Sequence, residues 1–141
     1  MGVFRGGEME SAVMRSFVMI SAFVASVLLA AGPAAAARVE VAVAARAVEN
    51  REPVGVAETF PADVGKVYCY TKVVGAAAGE TITHVWYHGD RKMAEVTLSI
   101  GGPSWRTYSS KRILPSWTGR WRVEIVDSSG NVIETVRFAV E

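Results

Sequence analysis

Beyond Arg38 several runs of side chains alternate between apolar and polar with a period of two, the mark of strands rather than of a helix. Ala94, Val96, Leu98 and Ile100 alternate with Glu95, Thr97 and Ser99; Trp121, Val123 and Ile125 alternate with Arg120, Arg122 and Glu124. Each such run buries one face and wets the other. The last segment repeats the pattern with Val136, Phe138 and Val140 facing inward, and the first with Val39, Val41 and Val43. The runs are short, rich in Val, Ile, Thr, Tyr and Trp, and bounded by Gly, Pro, Asp or Asn, which is the chemistry of strands and turns.

Eight strands are expected: Val39 to Val48, Val54 to Phe60, Lys66 to Val74, Thr81 to His88, Lys92 to Ile100, Trp105 to Leu114, Arg120 to Val126 and Val132 to Val140. His88-Gly89-Asp90-Arg91 and Asp127-Ser128-Ser129-Gly130-Asn131 read as hairpin turns. Glu49 to Pro53 and Ala76 to Glu80 read as loops. Seven or eight half-buried antiparallel strands joined by regular turns imply two sheets packed face to face, so an all-β, immunoglobulin-like sandwich is expected over residues 38–141. A small barrel is the alternative. Cys69 is the chain's one cysteine, so no internal disulfide is available and packing alone must hold the domain. Between Tyr68 and Tyr70, Cys69 reads as a small buried apolar residue.

Residues 1–37 have a different character. Arg15 precedes an uncharged run from Ser16 to Ala37, which closes on Gly32, Pro33 and Ala34 to Ala37. This is the three-part layout of a secretory signal peptide, expected to be helical over Phe17 to Ala31, with Ala35 and Ala37 forming an A-x-A cleavage site. The expectation is an exported chain, periplasmic or extracellular. The rival is an uncleaved anchor, because 22 uncharged residues would also span a bilayer. Arg5, Arg15, Glu8 and Glu10 precede Arg38, so the remainder is close to neutral.

Few residue groups suggest chemistry. His84 and His88 are four apart, a metal-pair spacing on a helix; on a strand four residues span about 13 Å, and no metal site is expected. His84 reads as a hydrogen-bonded residue beside Trp86, and His88 as a turn residue. Ser109 and Lys111 share a strand face but lie about 7 Å apart at their backbones, and no nucleophile elbow accompanies them. Gly101-Gly102-Pro103 lacks the lysine and helix of a phosphate loop. Neither an enzyme nor a cofactor is expected. What stands out is Ser104 to Arg122, with Arg106, Lys111, Arg112, Arg120 and Arg122, no acidic residue, and Trp105, Tyr108, Trp117 and Trp121 interleaved. Guanidinium groups and indole faces suit anionic or sugar-like ligands through charge-assisted hydrogen bonds and stacking. Against that, Trp121 fits the core, and outward strand faces ordinarily carry Lys and Arg.

Three segments, Thr83-His84-Val85-Trp86-Tyr87, Trp105 to Lys111 and Pro115 to Glu124, carry a resemblance to a bacterial envelope family labelled domain of unknown function 2914, over about Val56 to Val140. The resemblance implies a small β-rich extracytoplasmic domain, found alone or attached to membrane segments. That family has no established activity, so it carries no catalytic residue onto this chain.

The functional expectation is a non-catalytic extracytoplasmic binding module for an anionic glycan or an envelope protein, with Trp105, Arg106, Tyr108, Lys111, Trp117 and His84 as candidate ligand contacts. Nucleic acid is not an expected partner, since export removes the chain from the cytoplasm, and membrane contact is expected only through an uncleaved signal segment. The alternative is a structural or assembly domain that acts by protein contact at a sheet edge, without a ligand.

Overall fold

The structure, a computed structural model, describes residues 37–141. Apart from its final Ala37, the expected signal segment lies outside the described residues.

Nine strands form: β1 (Arg38–Glu49), β2 (Glu52–Val56), β3 (Thr59–Phe60), β4 (Lys66–Val74), β5 (Thr81–His88), β6 (Arg91–Ser99), β7 (Ser104–Arg112), β8 (Gly119–Val126) and β9 (Val132–Val140). They make a four-stranded sheet in the order β2-β1-β4-β7 and a five-stranded sheet in the order β3-β9-β8-β5-β6. The arrangement is sandwich-like and all-β, and the described residues contain no helix. Between the sheets lie Ala44, Val67, Cys69 and Val73 from the first, and Ile82, Trp86, Trp121, Val123, Ile125, Val136, Phe138 and Val140 from the second. Full burial of each such large apolar side chain favours folding by about 1.5–3 kcal/mol, which is how the domain coheres without a disulfide. Phe138 sits at the centre of an aromatic cluster, stacked on Trp121 at 5.9 Å and edge-on to Trp86 and Phe60 at 6.2 and 5.7 Å.

The alternation read in the sequence holds for β6, β8 and β9, where Trp121, Val123, Ile125, Val136, Phe138 and Val140 are all buried. It fails in β1. The β1–β4 register shifts between Val39 and Val41, so a bulge reverses the pleat and Ala42 and Ala44 replace the expected Val41 and Val43 on the inner face. Val41 is accordingly 37% exposed.

Two expected boundaries also change. Glu49 to Pro53 is not an open loop: β1 runs to Glu49, β2 starts at Glu52, and Asn50 and Arg51 turn the chain with φ of 50° and 62°. Two successive left-handed residues match the twist of a two-residue hairpin. Val54 to Phe60 is not one strand either, because the chain leaves the first sheet after Val56 and joins the second at Thr59. There β3 runs parallel to β9, pairing Thr59 with Ala139 and Phe60 with Val140, so the expected all-antiparallel arrangement is corrected at this one pairing. No hairpin connects β3 to β9, and nothing in their connection forces them to run in opposite directions.

The β8–β9 turn is fastened by Asp127, whose Oδ1 accepts from the backbone N–H groups of Ser129 and Asn131, both at 2.9 Å. Asp side chains favour turns through such bonds to backbone just ahead of them.

Candidate functional site

His84 is the candidate residue whose position departs furthest from a surface role. Inward on β5, its side chain is 0% exposed, with a hydroxyl on each ring nitrogen: Ser109 Oγ lies 2.6 Å from Nδ1 and Thr71 Oγ1 lies 2.9 Å from Nε2. Trp86 Nε1–H donates to the same Ser109 Oγ at 3.0 Å. One polar chain therefore crosses the core, joining β4 and β7 of the first sheet to β5 of the second. Indole can only donate, so the assignment that leaves every proton with an acceptor runs one way. Trp86 N–H donates to Ser109, Ser109 O–H donates to Nδ1, and Nε2–H donates to Thr71. Burial pushes the His84 pKa down to about 4, which keeps the ring neutral, as this chain requires.

Beside this chain, burial pushes the Cys69 thiol up to about 12, and a hydrogen bond with Thr71 pulls weakly in the opposite direction. A thiol so protonated has little thiolate character at neutral pH. Ser109 is only 6% exposed, so the serine–histidine pair that could resemble a nucleophile and its base is closed off from solvent. The expectation that His84 contacts a ligand is thereby corrected: its two nitrogens face buried hydroxyls. His88 is more than a turn residue. It ends β5, stacks on Trp121 at 4.6 Å, and donates Nε2–H to Thr118 O at 2.7 Å.

Alternation along β7 separates the remaining candidates. Cys69 pairs with Ser109 in register, which sets Ser109, with Trp105 and Lys111, on the side facing the other sheet; Arg106 and Tyr108 lie on the outer side. Trp105 and Lys111 are six residues apart, about 20 Å along a strand. Lys111 Nζ sits over the Trp117 ring, 5.4 Å from its centroid. Trp117 in turn is half-buried against Trp121 at 6.2 Å, and its carbonyl accepts the Trp121 Nε1–H at 3.0 Å. On the outer side, Tyr108 is 49% exposed and tilts against Tyr68 at 5.9 Å. The acid-free character of the stretch is a property of the linear sequence only. In space Arg106 Nη1 donates to Glu52 at 2.7 Å, and Arg122 Nε donates to Glu124 at 3.3 Å.

Two candidates do meet at one place. Trp105 and Arg106 line a cleft of about 320 Å³ together with Arg51, Lys72 and Ser104. Arg51 comes from the β1–β2 turn and Lys72 from β4, so sequence reading missed both; the signal that could have found them is strand pairing, since Lys72 is the register partner of Arg106. The Trp105 ring lies so close against Gly101 that a β-carbon there would stand 2.5 Å from it, and 39% of the tryptophan remains exposed. Lys72 pairs with Glu40 at 3.2 Å, while Arg51 has no ion-pair partner among the described residues. The Arg106–Glu52 pair is exposed on both sides and worth at most about 1 kcal/mol, so a ligand anion can displace Glu52 at little cost.

No group of three or more His, Cys, Asp or Glu side chains that could hold a metal ion occurs among the described residues. No curated protein matches the sequence. Residues 79–140 match a family model described as "Protein of unknown function (DUF2914)", a narrower span than the resemblance read from the sequence but one that contains all three of its motifs. That match bears out the resemblance to domain of unknown function 2914 over the stretch that forms β5 to β9.

Proposed function

We propose that the chain is a non-catalytic binding module that takes an anionic glycan at the cleft formed by Arg51, Lys72, Ser104, Trp105 and Arg106. The observation that carries this reading is that three cationic residues, Arg51, Lys72 and Arg106, line one cleft with Trp105, which is partly exposed. Guanidinium and ammonium groups bind carboxylate or sulfate substituents, and an indole face stacks on a sugar ring. A non-catalytic role is supported by the burial of His84 and Ser109, which keeps the nearest approach to a nucleophile and base away from any substrate. Export to the periplasm or outside the cell is supported by the signal layout of residues 14–37.

The sandwich itself we read as immunoglobulin-like. Supporting this are the short β3 alongside the terminal strand, the order β9-β8-β5-β6, and Trp86 buried on β5 against the facing sheet. The second functional reading, assembly through a sheet edge, is favoured by one feature: β7 is a nine-residue strand at the edge of its sheet.

The test is retention of the full chain on immobilised polygalacturonate, with dextran as the neutral counterpart. Wild-type protein is expected to bind polygalacturonate only, with binding weakened by salt because the contacts are exposed. Arg51→Ala combined with Trp105→Ala should reduce retention about tenfold, the scale of one lost charged contact or stacking face. Equal retention of the folded double variant would overturn the glycan reading and leave the β7 edge as the better account.

A further inference from the structure

The outer face of the five-stranded sheet carries an arrangement that its own stability does not explain. Arg122 on β8 and Arg137 on β9 are direct register partners, and Arg120 lies two residues before Arg122 on the same face. Like charges directly opposite one another on a sheet are destabilising. Arg122 is compensated: its guanidinium lies 4.0 Å above the Tyr87 ring, its Nη1 donates to Gly89 O at 2.8 Å, and its Nε donates to Glu124. Arg120 and Arg137 are exposed and form no ion pair among the described residues.

These three arginines line a cleft of about 660 Å³. Its other lining residues include Glu58 and Thr59 from the approach to β3 and Gly89 and Asp90 from the β5–β6 turn. The turn is held in place by the bond from Arg122 to Gly89 O and by Gly89 N–H, which donates to Arg120 O at 2.8 Å. The cleft thus has a cationic floor and a turn fixed to it, with a carboxylate contributed from each of two separate segments.

We propose that this cleft is an oxyanion site, in which Arg120 and Arg137 bind the phosphate or carboxylate group of a small ligand beside the pre-positioned Arg122. Guanidinium forks bind either group in bidentate fashion, and an anion seated between opposed arginines converts their repulsion into attraction. Glu58 and Asp90 suit the ligand's hydroxyl or amino donors, because ionised carboxylates only accept hydrogen bonds. The site lies on the opposite sheet from the Trp105 cleft and does not depend on the glycan reading.

The experiment titrates the isotopically labelled full chain with inorganic phosphate, with glucuronate and with neutral glucose, following the arginine side-chain and β8–β9 amide resonances. Saturable shifts on this face are expected with one or both anions and none with glucose. Response to phosphate alone identifies a phosphate-bearing ligand, and response to glucuronate alone a carboxylate-bearing one. Arg120→Gln and Arg137→Gln should each weaken binding about tenfold, as loss of one charge-assisted contact does, while Arg91→Gln on β6 leaves it unchanged. As a second readout, Arg137→Gln in anion-free buffer should melt no lower than wild type, since it removes an opposed charge. Absence of saturable shifts on this face with both anions, equal affinity in the variants, or a lower melting temperature for Arg137→Gln would each overturn the proposal, and none of these bears on the Trp105 cleft.

Discussion

Replacing Ser109 with alanine removes a single oxygen from the core, yet it strands two groups on the opposite sheet. His84 Nδ1 loses the donor 2.6 Å away, and Trp86 Nε1–H loses the acceptor 3.0 Å away. Both side chains are 0% exposed, so neither is positioned to recruit bulk water. A buried polar group left without its partner costs about 1–3 kcal/mol, so the two together place the loss at about 2–4 kcal/mol once some relaxation is allowed. For a domain of this size each kcal/mol moves the melting temperature by about 4–8 °C, which makes the expected fall about 8–32 °C. Ser110→Ala is the internal comparison, because Ser110 is the next residue on β7, is exposed, and should change stability by less than about 0.5 kcal/mol. Urea unfolding followed by tryptophan fluorescence measures both, and the indole N–H resonance of Trp86 reports directly on the lost bond. If Ser109→Ala unfolded within about 0.5 kcal/mol of wild type with the Trp86 resonance unmoved, the polar chain would not be holding the sheets in register and the reasoning would fail.

Two further outcomes follow from the same core and from the cleft. His84 is held neutral with its pKa near 4, while an unfolded histidine titrates near 6.5; the unfolded state therefore takes up the extra proton first, and stability present above about pH 6.5 is lost as the pH falls toward 4. The loss is on the order of 3 kcal/mol, to be read from urea midpoints across that window, and a His84→Gln variant whose pH profile kept the wild-type slope would show that another group is responsible. Gly101→Ala would bring a β-carbon to 2.5 Å from the Trp105 ring and should displace it; the expected signs are a changed tryptophan emission and weaker polygalacturonate retention, and unchanged emission would mean the indole does not rest on Gly101.

Much of this fold was legible because its signals are local. Hairpin turns and period-two alternation depend on neighbours in sequence, so β4, β5 and β9 have the boundaries expected of them. A bulge is not local: the shift between Val39 and Val41 exists only in relation to β4, and alternation in valines alone could not reveal it. The candidate site was less legible for the same reason. Along β7, adjacent residues diverge to opposite faces, so the aromatic and cationic stretch that is continuous in sequence divides between the two sides in space. Lys72 becomes a neighbour of Arg106, and Arg137 of Arg122, only through pairing across strands.

By itself, then, the chain's order of residues determined that Arg38 onward is β-structure with a tryptophan-lined core, because side-chain period and turn chemistry act within a few bonds of one another. Which polar residues face each other was decided by tertiary structure. Ser109 reaches His84 from 25 positions away, and Arg137 reaches Arg122 from the adjoining strand. Register sets both meetings, and register depends on how two sheets close over a shared interior, to which every strand contributes at once.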